Sequence, residues 1–389
     1  MTRHTRLVSL LPLLAGTVLA AGCGSAAHQP GGPAAVPVRP PSLATSLVTA
    51  TGTWAVAVMG GPAADHNNFW QIFVRPAATG RWRLATPPGV ASNGGLVMAS
   101  PGGQSVVAGF RPSQDLSFSP LATTDDNGAA WTPGLLDAAL ASVPDALAAA
   151  PDSGRLLALL ASGEVQLSGP GGTGWATLAT HRALAASAAG RACGLGRLTA
   201  AAFSPSGVPL LAGTCTHHPE TAGIFAYTSG TWHLAGPTLP ARYARQDISV
   251  LRLTTIGGAI TALLAAGTGS ATQLLAAWST GDSGAPWALS PPLPLHGAKP
   301  TSISRGPGHT VAVVLAGNHA QALTGPAGTW QPLPALPPGT ATLAPEPAGG
   351  WDALAVHSTK LTIWQLPPGH TVWTATQTIS VPVQFGSSG

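Results

Sequence analysis

The side chains of this sequence that could do chemistry do not assemble into a catalytic set. Cleaving a glycosidic bond takes two carboxyl groups facing each other across a pocket. The chain has only three glutamates, Glu164, Glu220 and Glu346, and two tyrosines, Tyr227 and Tyr243. Glu164 follows a tight Ser-Gly step and Glu346 stands between two prolines, so both read as solvated turn residues. His217 and His218 could ligate a metal, but adjacent histidines on a strand point to opposite sides. There is no nucleophile elbow, no HExxH helix and no phosphate-binding loop. The expectation is a protein with no catalytic residue, no metal and no cofactor.

Binding is the other chemistry available. Polar loops with aromatic neighbours recur: Asp65, His66 and Asn67 close to Trp70; Arg111 with Asp115; His217 with His218; Arg242, Tyr243 and Arg245; and His319. Rings beside Arg, Asn and Asp suit binding surfaces. The competing reading is that long loops are polar because they are wet. A formal charge of +4, spread over 17 scattered basic residues, lacks the clustering of a nucleic-acid face.

What would position these loops is a repeat. Seven tryptophans, Trp82, Trp131, Trp175, Trp232, Trp287, Trp330 and Trp373, recur at intervals of 49, 44, 57, 55, 43 and 43 residues, each shortly after a glycine. Ahead of each turn runs a short apolar stretch, at 54–58, 105–108, 156–160, 210–213, 260–264, 310–315 and 352–356. Runs this small and continuous are buried on both faces. With 49 Gly and 38 Pro the chain is no helical bundle, and 45% apolar residues argue against disorder. The pattern predicts an all-β, seven-bladed β-propeller of four-stranded antiparallel blades over residues 43–389. The repeat around Trp175 is the most irregular, with Ala-rich flanks that could pass for helix.

Two of the turns carry more. Thr124-Asp-Asp126-Asn-Gly128-Ala-Ala-Trp131 and Thr280-Gly-Asp282-Ser-Gly284-Ala-Pro-Trp287 share the pattern Ser/Thr-x-Asp-x-Gly-x-x-Trp. They resemble Asp-boxes, the hairpin motif of BNR-repeat propellers such as sialidases and photosystem assembly factors. The physics behind the motif is local: the Asp accepts turn amides, the Gly takes a positive φ and the Trp plugs the gap between sheets. Asp126, Gly128, Trp131, Asp282, Gly284 and Trp287 are therefore expected to be structural. A sialidase activity would also imply an arginine cluster, a Tyr–Glu nucleophile pair and an acid–base Asp. The Arg-Ile-Pro element that opens many sialidases has no counterpart here, since Arg75 runs straight into Pro76.

Residues 1–22 read as an export signal, with Arg3 and Arg6 ahead of an apolar stretch too short for a comfortable membrane span. The segment ends Leu19-Ala-Ala-Gly-Cys23, which resembles the bacterial lipobox and implies a lipid on Cys23. Residues 23–42 read as a Pro/Gly-rich tether. Cys193 and Cys215 flank a hairpin and are expected to face each other as a disulfide in an oxidising compartment. A metal site with His217 and His218 competes but lacks CxxC spacing. The combined expectation is a monomeric, lipid-anchored, extracytoplasmic propeller that binds an envelope protein or glycan. The alternatives are a degenerate sialidase-like glycoside hydrolase and an assembly factor for an envelope complex.

Overall fold

Each of the seven apolar runs is a strand, and each is the second strand of a four-stranded antiparallel meander. The computed structural model describes residues 44–60, 68–87, 95–110, 121–133, 146–151, 153–216, 220–281, 285–306, 309–325, 328–347 and 349–382. The first meander runs Ala44–Thr49, Gly52–Gly60, Asn68–Pro76 and Arg83–Leu84. The next two begin at Leu96–Gly102 and Ala146–Ala149, and the fourth and fifth at Leu195–Phe203 and Ile248–Ile256. The sixth and seventh begin at Pro300–Arg305 and Thr340–Pro345. In every case the strands pair in sequence order, as a chain of short turns rich in Gly, Pro and Asn dictates.

The second strands are buried on both faces because both faces are covered. Trp54, Val56, Leu157, Leu159, Leu211, Leu264, Val313 and Leu354 are all at or near zero exposure. Seven apolar clusters hold these strands, and six of them join two consecutive meanders. The remaining one joins the last meander to the first, packing Ala55, Phe73 and Trp82 against Leu354, Leu361 and Ile363. Hydrogen bonding follows a different partition. Parallel pairing of Ala44 with Ser302 and Thr45 with Ile303 fuses the first and sixth meanders into one sheet. Thr214–Ser249 and Cys215–Ile248 fuse the fourth and fifth. The sheets do not close into a continuous hydrogen-bonded ring; side chains complete the circuit, with one backbone bond from the Gly60 amide to the Ser358 carbonyl at 3.1 Å.

The Ala-rich flank is helical where the sequence left it open. His181–Ala186 and Ala188–Cys193 are short helices, capped by the hydroxyls of Thr180 and Ser187, which accept the amides of Ala183 and Gly190. The two cysteines flank the hairpin of Leu195–Phe203 with Pro209–Cys215, as expected, but Cys193 stands outside its first strand. Cys193 ends a helix, while Cys215 ends the strand Pro209–Cys215, and the two are disulfide-bonded with Cα atoms 5.0 Å apart. Both are fully buried, and Gly223 lies directly against them. A Cβ on Gly223 would stand 2.5 Å from the Cys215 Sγ and 3.1 Å from the Cys193 Sγ. The bridge ties the helical insertion to the fourth meander across a sequence separation of 22. Reduction, or Cys193→Ser with Cys215→Ser, should cost about 3 kcal/mol on loop-entropy grounds. Urea melts with and without reductant check this, and coincident curves would contradict it.

Candidate functional site

The turn at Thr124–Trp131 has the expected internal bonding. The Asp126 carboxylate accepts the amides of Ala129 at 2.8 Å and Ala130 at 3.0 Å, and the Thr124 hydroxyl donates to it at 2.8 Å. These bonds, the Ala130 amide first, hold the Asp126 carboxyl below its usual range. Gly128 has φ +78°, and a Cβ there would lie 3.0 Å from the Ala85 Cβ and 3.1 Å from the Trp54 ring. Arg83 of the preceding meander donates to the carbonyls of Asn127 and Gly128. The Trp131 indole N–H reaches the Ala85 carbonyl at 2.8 Å, with its ring edge-on to Trp54. These contacts fix the turn to its neighbour and leave Asp126 fully engaged.

That indole bond recurs. Trp287 donates to the Ala235 carbonyl, Trp330 to Pro291 and Trp373 to Pro334, each acceptor lying just past the fourth strand of the preceding meander. Trp82 departs from the rule: its indole donates to the Asp352 carboxylate at 2.7 Å. Arg75 meets the same oxygen at 2.8 Å and Glu346 at 3.1 Å, and Gln365 donates to Glu346 at 3.0 Å. Glu346 is thus a partner in a buried ion cluster, with its side chain 15% exposed, and not the solvated turn residue expected. The Asp352 side chain is wholly buried. Burial pushes its carboxyl up to about 7, against the pull of Arg75 and with the neighbouring Glu346 adding to the rise. No substrate reaches a carboxylate sealed in this way.

A second polar feature lies inside the circuit. The first strands of six meanders surround a cavity of about 660 Å³. Its wall includes stretches 45–50, 96–103, 146–149, 199–203 and 251–258, with Ile303 and Arg305 from the sixth. Most of these residues are apolar or hydroxyl-bearing, and no Asp or Glu is among the described lining residues. Two cations are. Arg252 is half-buried and Arg305 is 7% exposed, and desolvation draws both guanidinium groups down to about 10. Arg305 donates weakly to the Thr254 hydroxyl at 3.4 Å, and its buried Nε has no partner. Sequence reasoning missed both. The available signal was a lone arginine in an inner strand of apolar and hydroxyl residues, Leu251-Arg252-Leu253 and Ile303-Ser304-Arg305.

The anticipated rim is only partly described. Cys23, Asp65, His66, Asn67, Arg111, Asp115, His217, His218, Asp282 and Gly284 lie outside the described residues. Arg242, Arg245 and His319 are exposed. Tyr243 is a core residue, 1% exposed, packed among the aliphatic side chains between the fourth and fifth meanders. Trp70 belongs to the strand Asn68–Pro76 and packs half-buried on the cluster between the first and second.

No protein-family model matches the sequence, and no curated protein matches it. Solved structures do match in three dimensions. One is a putative 6-phosphogluconolactonase from Bacteroides uniformis, at 13% identity and a TM-score of 0.51, covering 86% of this chain and 98% of that one. Another is a protein from Lactobacillus plantarum, at 11% identity and 0.51, covering 85% and 97%. A third is the GH74 xyloglucanase from Xanthomonas campestris, also 11% and 0.51, covering 85% of this chain and 53% of that one. Likeness at this identity carries the fold alone. The fold is a β-propeller.

The cluster at Asp352 makes a test. Between about pH 4 and about 7 the folded protein holds a proton there that the unfolded chain releases, so stability falls as pH rises through that window. The wild type should lose on the order of 2 kcal/mol from pH 5 to pH 8 at this site. Asp352→Asn keeps an acceptor for Trp82 and has no proton to lose, so its stability should vary less over the same range. Parallel denaturation profiles for the two proteins would refute the assignment.

Proposed function

We propose that the chain is a seven-bladed, Asp-box-type propeller, exported on a lipidated Cys23, that binds an envelope protein or glycan without catalysing a reaction. The seven-blade reading is supported by seven meanders and by seven apolar clusters, the last of which returns to the first. The Asp-box reading is supported by the bonding of Asp126, Gly128 and Trp131. The observation that carries binding over catalysis is the inner cavity, whose described wall offers apolar side chains, hydroxyls and guanidinium groups. Such a wall holds and orients a ligand. The one carboxyl pair that could suggest a hydrolase among the described residues, Glu346 with Asp352, is enclosed between the first and last meanders.

Two measurements test this. Lipid should be incorporated into the wild type and not into Cys23→Ala, which should move from the membrane to the soluble extracytoplasmic fraction. Cross-linking in intact cells should then recover one envelope component. Arg242→Ala with Arg245→Ala, both on exposed residues, should lower that recovery about tenfold without changing the melting temperature. Turnover of fluorogenic sialosides or aryl glycosides by the purified protein would replace this reading with the hydrolase.

A further inference from the structure

Buried cations in proteins are ordinarily paired, because an ionised group taken out of water without a partner costs several kcal/mol. The inner cavity breaks that pattern at Arg305. Arg305 is buried, its Nε is unpartnered, and its guanidinium's one hydrogen bond among the described residues is the long one to Thr254. Arg252, half-buried on the same wall, has no side-chain hydrogen bond or ion pair among the described residues. Arg252 and Thr254 are two apart on one strand, past its bulge, and so project on the same side. Thr254, which Arg305 reaches, thus lies on the same side of its strand as Arg252, and both arginines line the one cavity. The rest of the wall combines hydroxyls with apolar side chains, among them Leu96, Met98, Leu147, Phe203 and Leu253.

We propose that this cavity binds a small amphiphilic anion, a carboxylate or phosphate carried on an apolar body, with Arg252 and Arg305 as its counter-ions and the Thr254 hydroxyl as an added donor. The inference rests on reading the propeller as a binding module and adds a ligand class that the outer rim does not supply. Guanidinium suits such a ligand: its planar fork of donors matches both oxyanions, and it stays charged even when burial draws its pKa down to about 10. A volume of about 660 Å³ sets the scale of the ligand, within the range of ordinary small-molecule sites. The site is also distinct in place from the anticipated rim. Arg305 closes its strand beside the turn into Thr310–Leu315, at the end of the meanders that carries the first-to-second hairpins. The rim loops, by contrast, join second strands to third or one meander to the next.

The test uses the full chain and three probes: 4-phenylbutanoate, phenyl phosphate and the neutral alcohol 4-phenylbutan-1-ol. Calorimetric titration should show at least one anion bound about tenfold more tightly than the alcohol, with affinity falling as salt rises. Which of the two anions binds better identifies the head group. Arg252→Gln and Arg305→Gln should each weaken the preferred anion about tenfold or more and leave the alcohol unchanged. Should Arg305→Gln fail to fold, Arg252→Gln and the wild-type comparison of acid with alcohol each decide alone. The proposal is overturned if neither anion binds at millimolar concentration, if the alcohol binds as well as the anions, or if the folded variants bind as the wild type does. Failure here with the cross-linked envelope partner still recovered would sink the cavity site and spare the binding module. Anion binding without any envelope partner would do the reverse.

Discussion

Every meander of this molecule carries a second strand that is apolar on both sides, and no meander can cover both of its own faces. That constraint organises the rest. A sheet with two apolar faces must be packed between two others. Seven clusters of side chains meet the requirement by joining each meander to the next and the last to the first. The turn tryptophans set the spacing. An indole wedged between sheets buries a large ring and brings with it a donor that must be satisfied. In four meanders that donor finds a carbonyl just beyond the preceding fourth strand, where the backbone has left the ladder and has an acceptor free. The ring supplies the burial and the N–H supplies the register.

The junction between the chain's two ends obeys the same geometry with different chemistry. No continuous hydrogen-bonded sheet spans it, so apart from the Gly60 amide bonding the Ser358 carbonyl, contact between the first and last meanders is specified by side chains. Trp82 and Arg75 converge on one oxygen of Asp352, while Gln377 brackets the Trp82 backbone by accepting its N–H and donating to its carbonyl. An apolar contact tolerates a slip. A buried carboxylate does not, because a one-residue shift of Trp351–His357 would turn Asp352 to the opposite face and strand its charge among aliphatic side chains. The raised pKa of Asp352 is the mark of that burial.

What the sequence revealed, and what it concealed, divides by the range of the interaction. The second strands were legible because burial on both faces writes itself into consecutive residues. The Thr124–Trp131 turn was legible because its donors and acceptors lie within eight positions. The cysteine pair was legible from proximity, although the helix carrying Cys193 was not. Asp352 looked like the first residue of an apolar strand, since Arg75 and Trp82 stand about 270 positions away. Glu346 looked solvated because its flanking prolines suggested a loop, when Arg75 and Gln365 hold it inside. Tyr243 was assigned to a rim by its arginine neighbours; those neighbours are exposed and the ring points inward.

Arg252 and Arg305 stood furthest from sequence reasoning, because only the circuit of meanders brings their strands to one wall. The reason a wall exists there is again side-chain size. Inner strands built of Ala99, Ala148, Ala200, Ala201 and Ala202 do not reach far enough to fill the space between them. The seventh inner strand does not help, since the first pairs directly with the sixth and leaves Thr340–Pro345 behind them. Ser302 bonds Thr342 there, and Ser304 bonds the Leu343 carbonyl, so its polar edge is used outside the cavity. A core selected only for stability would fill such a void with larger aliphatic residues and would have no use for two cations facing it. Small side chains and uncompensated charge are each costly alone. They cease to be costly together when a negatively charged, partly apolar molecule occupies the space.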